Sequence, residues 1–387
     1  MKVCDVVLNS VWYDPRVRKQ LTEYKAQGMD ICAIGLKCNR YDEEKLSLIP
    51  CRYHIVRIDG RYDGKQKGVF RKLKREKLRH VAVRDAIIME KPEIIHANDL
   101  NALIPAYAAA RKLKCKLVYD SHEINVENYT SSVRSPLAFF MEAIERYIVR
   151  RVDLMVCVSH AAADYFAEKY KIPKPMVVTN CSLQKERVDN PTQKNDGFEI
   201  INHGQFYEGR GYDTMVHACA LLDEYPEIKL AVRGFGRMES QLHEMVDLLN
   251  NREQFRFYPP VNVQDLISKA AESHVGIAIT VPICLNFKLS VSNKLFEYAS
   301  AGLPVIMSDI PEHRYLNEKY HFGIVLDEVT PEALAKAVVR LYEDKILYNT
   351  LAQNAKTMSA WVNWETEFRK LLDKEQQLAR HNTSAYY

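Results

Sequence analysis

Short apolar runs alternate with helix-period segments along the whole chain, and that alternation leaves few folds open. Strand–helix repetition with apolar strands means parallel sheets covered by helices on both faces. The first half carries strand-like runs at 3–9, 31–36, 54–58, 94–96, 116–119, 154–158 and 176–179. Helical patterns lie between them near 15–27, 68–90, 100–112, 136–150 and 160–170. The second half carries runs at 198–202, 229–233, 255–258, 275–280, 305–307 and 324–326. Thr330-Pro331-Glu332 has the cap, first-position proline and acidic first turn of a helix start. At 387 residues the chain exceeds one ordinary core. A polar stretch interrupts the pattern once, at 182–197. We therefore read an α/β protein of two doubly wound, Rossmann-like domains, 1–181 and 198–360, joined by a linker at 182–197. Two such domains enclose a cleft, and ligands of such sheets sit beyond the carboxyl ends of the strands.

Composition narrows the partners. A net charge of +4 is too small to argue for nucleic acid. The nine cysteines show no Cys-x-x-Cys spacing, and Cys4, Cys32 and Cys157 lie inside apolar runs. Buried thiols in a reducing cytoplasm fit that usage better than disulfides. No secretory signal or membrane span is read: the longest uncharged run, 275–287, contains Pro282 and falls short of the ~20 residues a span needs.

The polar residues that stand out gather at the expected strand exits. Asp14-Pro15-Arg16 follows the first run, with Asp14 as a helix cap and a substrate role open to Arg16. His122 and Glu123 follow the run at 116–119, where proton relay, metal pair and structural hydrogen bond are alternatives. No second histidine stands at zinc-helix spacing, so no metal is expected. In the second half, His203-Gly204-Gln205 and then Glu208-Gly209-Arg210-Gly211 follow the first run. That glycine-flanked arginine suits either a phosphate loop or a plain turn. Arg233 ends the next run and Gly234-Phe235-Gly236 follows. Position 239 is Glu rather than the third glycine of a dinucleotide fingerprint, which argues against a nicotinamide cofactor.

Residues 293–306, NKLFEYASAGLPVI, read as a short helix stopped by Gly302 and followed by a strand. Glu297 sits among Leu295, Phe296, Tyr298 and Ala299, and a carboxylate so placed needs a partner. Lys294 stands near the helix start, where the dipole favours an anion. With Ser292 and Asn293 it marks a site for a ligand carrying phosphate and hydroxyls; the alternative is a Glu297–Lys294 pair inside the core. Residues 65–79 hold eight basic residues and one acidic residue, with Val69, Phe70, Leu73 and Leu78 interleaved. They read as a solvated helix face or as a surface for anionic lipid.

In this order the motifs resemble the retaining GT-B glycosyltransferases of glycosyltransferase family 4, in the bacterial branch that builds surface polysaccharides. DPRVRKQLTEYKAQGMDICAI looks like that branch's first strand–helix–strand, IIHANDLNALIPAYAAARKLKCKLVYDSHE like its acceptor-domain core, and NKLFEYASAGLPVIMSD like its donor-site signature. The closing segment resembles the fold's last helix, here 361–387, which crosses back to the first domain. The resemblance implies that a nucleotide-diphosphate sugar binds the second domain and a glycan or lipid-linked acceptor the first. It implies transfer with retention, in capsule, lipopolysaccharide or related synthesis, with no metal or other cofactor. It gives Glu297 the ribose hydroxyls, Arg210 the diphosphate and His122 the donor-sugar side of the cleft. Gly204, Gln205, Arg233, Gly234, Gly236, Ser292, Asn293 and Lys294 become donor-binding candidates, with Asp14, Arg16 and Glu123 in the first domain. Two positions depart from the wider pattern: Leu289 replaces a frequent glutamate and Gln205 a frequent basic residue. The expected location is cytoplasmic, with peripheral contact to the inner membrane face through 65–79. A nucleotide-sugar epimerase and an inactive nucleotide-sugar-binding subunit are the alternatives.

Overall fold

The computed structural model describes residues 1–12, 14–37, 43–56, 69–124 and 136–383, in two compact units. One is Met1–Thr179 with Glu367–Tyr387, the other Asn180–Thr366. In the first, β1 (Lys2–Val7), β2 (Asp30–Leu36), β3 (Arg52–Val56), β4 (Ile94–Asn98), β5 (Lys116–Ser121), β6 (Leu154–Cys157) and β7 (Met176–Val177) form one sheet. Its order is β3-β2-β1-β4-β5-β6-β7. In the second, β8 (Phe198–Phe206), β9 (Ile228–Gly236), β10 (Phe255–Tyr258), β11 (Val275–Ala278), β12 (Val305–Ser308) and β13 (Gly323–Leu326) are ordered β10-β9-β8-β11-β12-β13. All the pairings are parallel. Both sheets thus wind outward from their first strand, then reverse, between β1 and β4 and between β8 and β11. That reversal is where a doubly wound sheet opens a crevice at its strand ends.

Each apolar run read from the sequence forms a strand, because a parallel strand covered on both faces cannot alternate apolar with polar. β4 is buried at every position and β2 at all but its first. Residues 57 and 58 of the expected third strand lie outside the described residues. The helix boundaries follow local chemistry. Asp14 Oδ1 accepts from the N–H groups of Arg16 (3.0 Å) and Val17 (3.4 Å), capping the helix Pro15–Ala26. Thr330 caps Pro331–Glu343 through Ala333 N–H (3.1 Å). Gly302 takes φ +72° just past the helix Asn293–Ser300.

The C-terminal helix, Trp364–Thr383, belongs to the first unit from Glu367 onward. Phe368 meets Tyr24 edge-on at 4.8 Å, and Glu367 accepts from Thr179 N–H at 3.2 Å. The stretch at 182–197, polar enough to read as a linker, is bound to the second unit. Val188 N–H donates to Ser300 O (2.8 Å), and Lys194 Nζ donates to the carbonyls of Ala271 and Ser273. The eight described cysteines are free thiols.

β8 and β9 run past their apolar segments, pairing Gly204 with Gly234 and Phe206 with Gly236. A Cβ on Gly234 would stand 1.9 Å from Gly204 O, and one on Gly236 2.3 Å from Phe206 O. Close strand approach therefore accounts for both glycines without a ligand. Gly28, by contrast, has φ +69° and open space around it. Gly28→Ala should cost only the backbone strain, ~1 kcal/mol, whereas Gly234→Ala should cost more than ~3 kcal/mol because backbone must move as well. Denaturant unfolding of the two variants checks this, and equal losses would contradict it.

Candidate active site

In the second unit, the exit of β8 and the start of helix Asn293–Ser300 meet. His203 Nε2 lies 2.7 Å from Glu297 Oε2, and the His203 main-chain N–H donates to Tyr298 Oη at 3.0 Å. Glu297 thus has a partner from another element. Lys294 Nζ reaches Asn202 Oδ1 at 2.5 Å, and Asn202 Nδ2 donates to Arg210 O at 3.2 Å. Asn202 therefore ties strand, arginine loop and helix together. The Arg210 guanidinium is pre-set by Tyr207 Oη, at 3.1 and 2.7 Å from its Nε and Nη2, and lies over Phe287 at 4.6 Å. Gly211, φ +73°, lets the loop pass Ile279, where a Cβ would come within 2.5 Å.

The electrostatics of this corner are cationic. Burial pushes Lys294 down to about 7, with Arg210's charge adding to the fall and Glu297 opposing it. Ser292 makes no side-chain cap bond and Leu295 N–H turns back to Ser292 O (3.1 Å), so among the described residues no side chain caps the N–H groups of Asn293 and Lys294, where an anion is favoured. His313 completes the floor: its Nδ1–H donates to Ser308 O (3.1 Å) and its Nε2 accepts from Ser292 N–H (3.4 Å). Burial holds it at about 4, against the Ser308 bond and helped by Arg210, so it stays neutral.

In the first unit, the exits of β4 and β5 bring His122, Asp120 and Asp99 together, within the field of Arg16 at the start of helix Pro15–Ala26. His122 Nε2 lies 3.1 Å from Asp120 Oδ2, and Asp99 Oδ1 accepts the His122 main-chain N–H at 3.0 Å. Burial alone would lower His122, but Asp120 and Asp99 outweigh it and Arg16, raising it to about 9. Asp99 holds its place with φ +65°. Arg16 Nε is 3.7 Å from the capping Asp14.

A glycosyltransferase family 4 model matches residues 17–184, and a glycosyl transferases group 1 model matches residues 184–358. The chain is a glycosyltransferase of the GT-B fold. An uncharacterised glycosyltransferase of Methanocaldococcus jannaschii is 20% identical over 283 residues, 69% of this chain and 70% of that one. A glycosyltransferase structure from Rickettsia africae matches with TM-score 0.76 at 15% identity, covering 97% of this chain and 98% of that one. Anabaena HepE, solved in complex with UDP, matches with TM-score 0.72 at 14% identity, covering 97% and 100%.

In this glycosyltransferase, Arg210, Ser292, Lys294 and Glu297 converge. Gly204, φ +127°, lies beside them, with Lys294 Cε 3.6 Å from its would-be Cβ. Arg233 is paired in register with His203 and lies buried over the ring of Tyr258 at 4.7 Å, while Gln205, Asn293 and Glu123 are exposed. The sequence reading placed His203 at the strand exit without giving it a role, and missed Asn202 and His313. The signal for Asn202 was its place beside His203 at the close of an apolar run; His313 had none. Among the described residues, Cys32, His54 and Glu90 are the one group with metal-ligand atoms within 4.8 Å of each other. Lys2 Nζ (3.0 Å) and Arg52 (3.6 Å) already serve Glu90 there, so ion pairing explains the group.

Because the folded state depresses Lys294, the unfolded chain binds its proton more readily between about pH 7 and about pH 10, and stability contributed at this site rises with pH across that window. Lys294→Met should raise the melting temperature of the free protein by ~3 °C at neutral pH and abolish stabilisation by pyrophosphate. Differential scanning with and without pyrophosphate reads both; a lower melting temperature would count against the buried-cation account.

Proposed function

We propose that the chain transfers a sugar from a nucleotide-diphosphate sugar to an acceptor hydroxyl with retention of configuration, in the synthesis of a bacterial surface glycan. The observation that carries this reading is Glu297, held by His203 at 2.7 Å beside two cations and an uncapped helix start. A carboxylate next to an anion site suits a ligand with vicinal hydroxyls on one side and a diphosphate on the other. HepE of Anabaena, which shares the fold, was solved with UDP, and also with UDP-glucose.

Breaking the sugar–phosphate bond builds negative charge on the departing diphosphate. Arg210, Lys294 and the first N–H groups of Asn293–Ser300 would meet that charge, and donors already aimed at developing charge are worth ~3 kcal/mol each. An anion at the helix start restores the Lys294 proton, so the lysine is charged when it is needed. Glu297 would take the ribose hydroxyls. The first unit is assigned to the acceptor, with His122 offering a charged N–H to a sugar hydroxyl. With no covalent nucleophile assigned, front-face transfer with the diphosphate accepting the acceptor's proton is the proposed route, and no metal is required. A nucleotide-sugar epimerase would act without an acceptor, which separates the two readings.

Thermal shift across UDP-, GDP- and ADP-sugars identifies the donor, a hundredfold excess over Kd giving ~2.7 kcal/mol of stabilisation. With that donor, Arg210→Ala and Glu297→Ala should each lower transfer by ~100-fold or more while melting as the parent does. Near-normal turnover in either variant would remove the assignment.

A lipid-linked acceptor would bring the enzyme to an anionic membrane through residues 65–79. Of these, 65–68 lie outside the described residues, while Lys74, Lys77 and Leu78 are exposed on helix Val69–Glu90. No helix among the described residues is long and apolar enough to cross a membrane. Flotation with anionic vesicles should occur at low salt and weaken as salt rises; salt-independent binding, or none, would end that reading.

A further inference from the structure

An unbroken row of side chains runs through the first unit from the C-terminal helix to the exit of β5. Tyr24 Oη–H donates to Glu375 Oε2 at 2.6 Å, and Glu375 Oε1 lies 3.0 Å from His96 Nδ1. His96 Nε2 lies 3.3 Å from Asp120 Oδ2, the same oxygen that faces His122 Nε2 at 3.1 Å and accepts from Gln20 Nε2 at 3.0 Å. The side chains of His96 and Glu375 have no exposure at all. Asp120 and His122 keep 6% and 3%.

The geometry favours one proton count. His96 presents one ring nitrogen to Glu375 and the other to Asp120, and a neutral imidazole has a single N–H to give. With both carboxylates ionised, each ring nitrogen donates, and His96 is an imidazolium between them. Asp5, in register with His96 on β1, adds a third carboxyl beside the row: burial raises it to about 7 despite His96 and the Asn98 hydrogen bond, and once ionised above that pH it favours the charged imidazole further. His96 itself is raised well above its ordinary value, its carboxylate partners outweighing its burial.

Buried ions are a poor device for stability alone. Apolar packing of the same volume usually does as well or better, so a fully buried row of them calls for a positional role. One end of this row is the carboxylate that orients His122. The other is a helix that joins the unit only after the chain has completed the second one.

We propose that His96 and Glu375 are positioning residues for His122: the row Glu375–His96–Asp120–His122 fixes the ring over the strand ends and makes the C-terminal helix part of the first unit's site. The role of His122 rests on the functional reading above; the charge state of His96 does not.

Nitrogen-resolved NMR of the full chain with labelled histidine tests the row directly. At about pH 8, both ring nitrogens of His96 should be protonated, and Glu375→Gln should lower its titration midpoint by about one unit or more. A neutral His96 in the wild type would overturn the proposal. In transfer assays Glu375→Gln should lower kcat about tenfold with donor KM unchanged, and cost nothing further in a His122→Ala background. The same fractional loss in that background would reduce Glu375 to a structural role. Tyr24→Phe, which removes only one hydroxyl from Glu375, gives the same tests in a milder form should Glu375→Gln fail to fold. Absence of transfer by the wild type would count against the functional reading, while the protonation state of His96 read by NMR would still decide the row.

Discussion

A parallel sheet sheathed in helices accepts polar side chains most readily at the ends of its strands, and wherever it buries a charge that charge must find a partner. Both units are built around that constraint. In the second, Glu297 is met by His203 and Lys294 by Asn202, each pair joining the end of β8 to helix Asn293–Ser300. In the first, Asp120 at the end of β5 is shared by His96, His122 and Gln20. The ion pairs do not hold the sheets together, since the apolar core does that. They decide where the few polar groups point.

The two corners are balanced differently. In the first unit carboxylates and imidazoliums alternate along the row, so each charge already faces an opposite one. In the second, Arg210, Lys294 and a helix start face one carboxylate, and Lys294 is pulled below its ordinary range by burial and by Arg210. That imbalance is the form a site takes when its missing partner is an anionic ligand. Stability is forgone at the point where binding restores it, as functional sites commonly show.

Much of the fold was readable in advance because its cause is local. Apolar runs became strands, Asp14 and Thr330 capped their helices, and Gly302 ended one, each through neighbours a few residues away. Readings that depended on what a segment packs against went differently. Gly234 and Gly236, which resemble a ligand loop, are glycines because β8 lies against them. The stretch at 182–197 looked free and is bound by Ser300, Ala271 and Ser273. Backbone pairing carried β8 to Phe206 regardless of its polar side chains.

The candidate site divides along the same line. Glu297, Lys294, Arg210 and His122 stood out because charge amid apolar sequence is unusual wherever it falls. The pairings could not be read the same way: His203 is 94 residues from Glu297, and within the row behind His122, His96 is 279 residues from Glu375. Hydrophobic periodicity and capping act over a turn or a strand, so the order of residues by itself determined the elements, their boundaries and the doubly wound class. Pairing of buried charges acts through space at about 3 Å, and only the folded chain could decide which imidazole met which carboxylate.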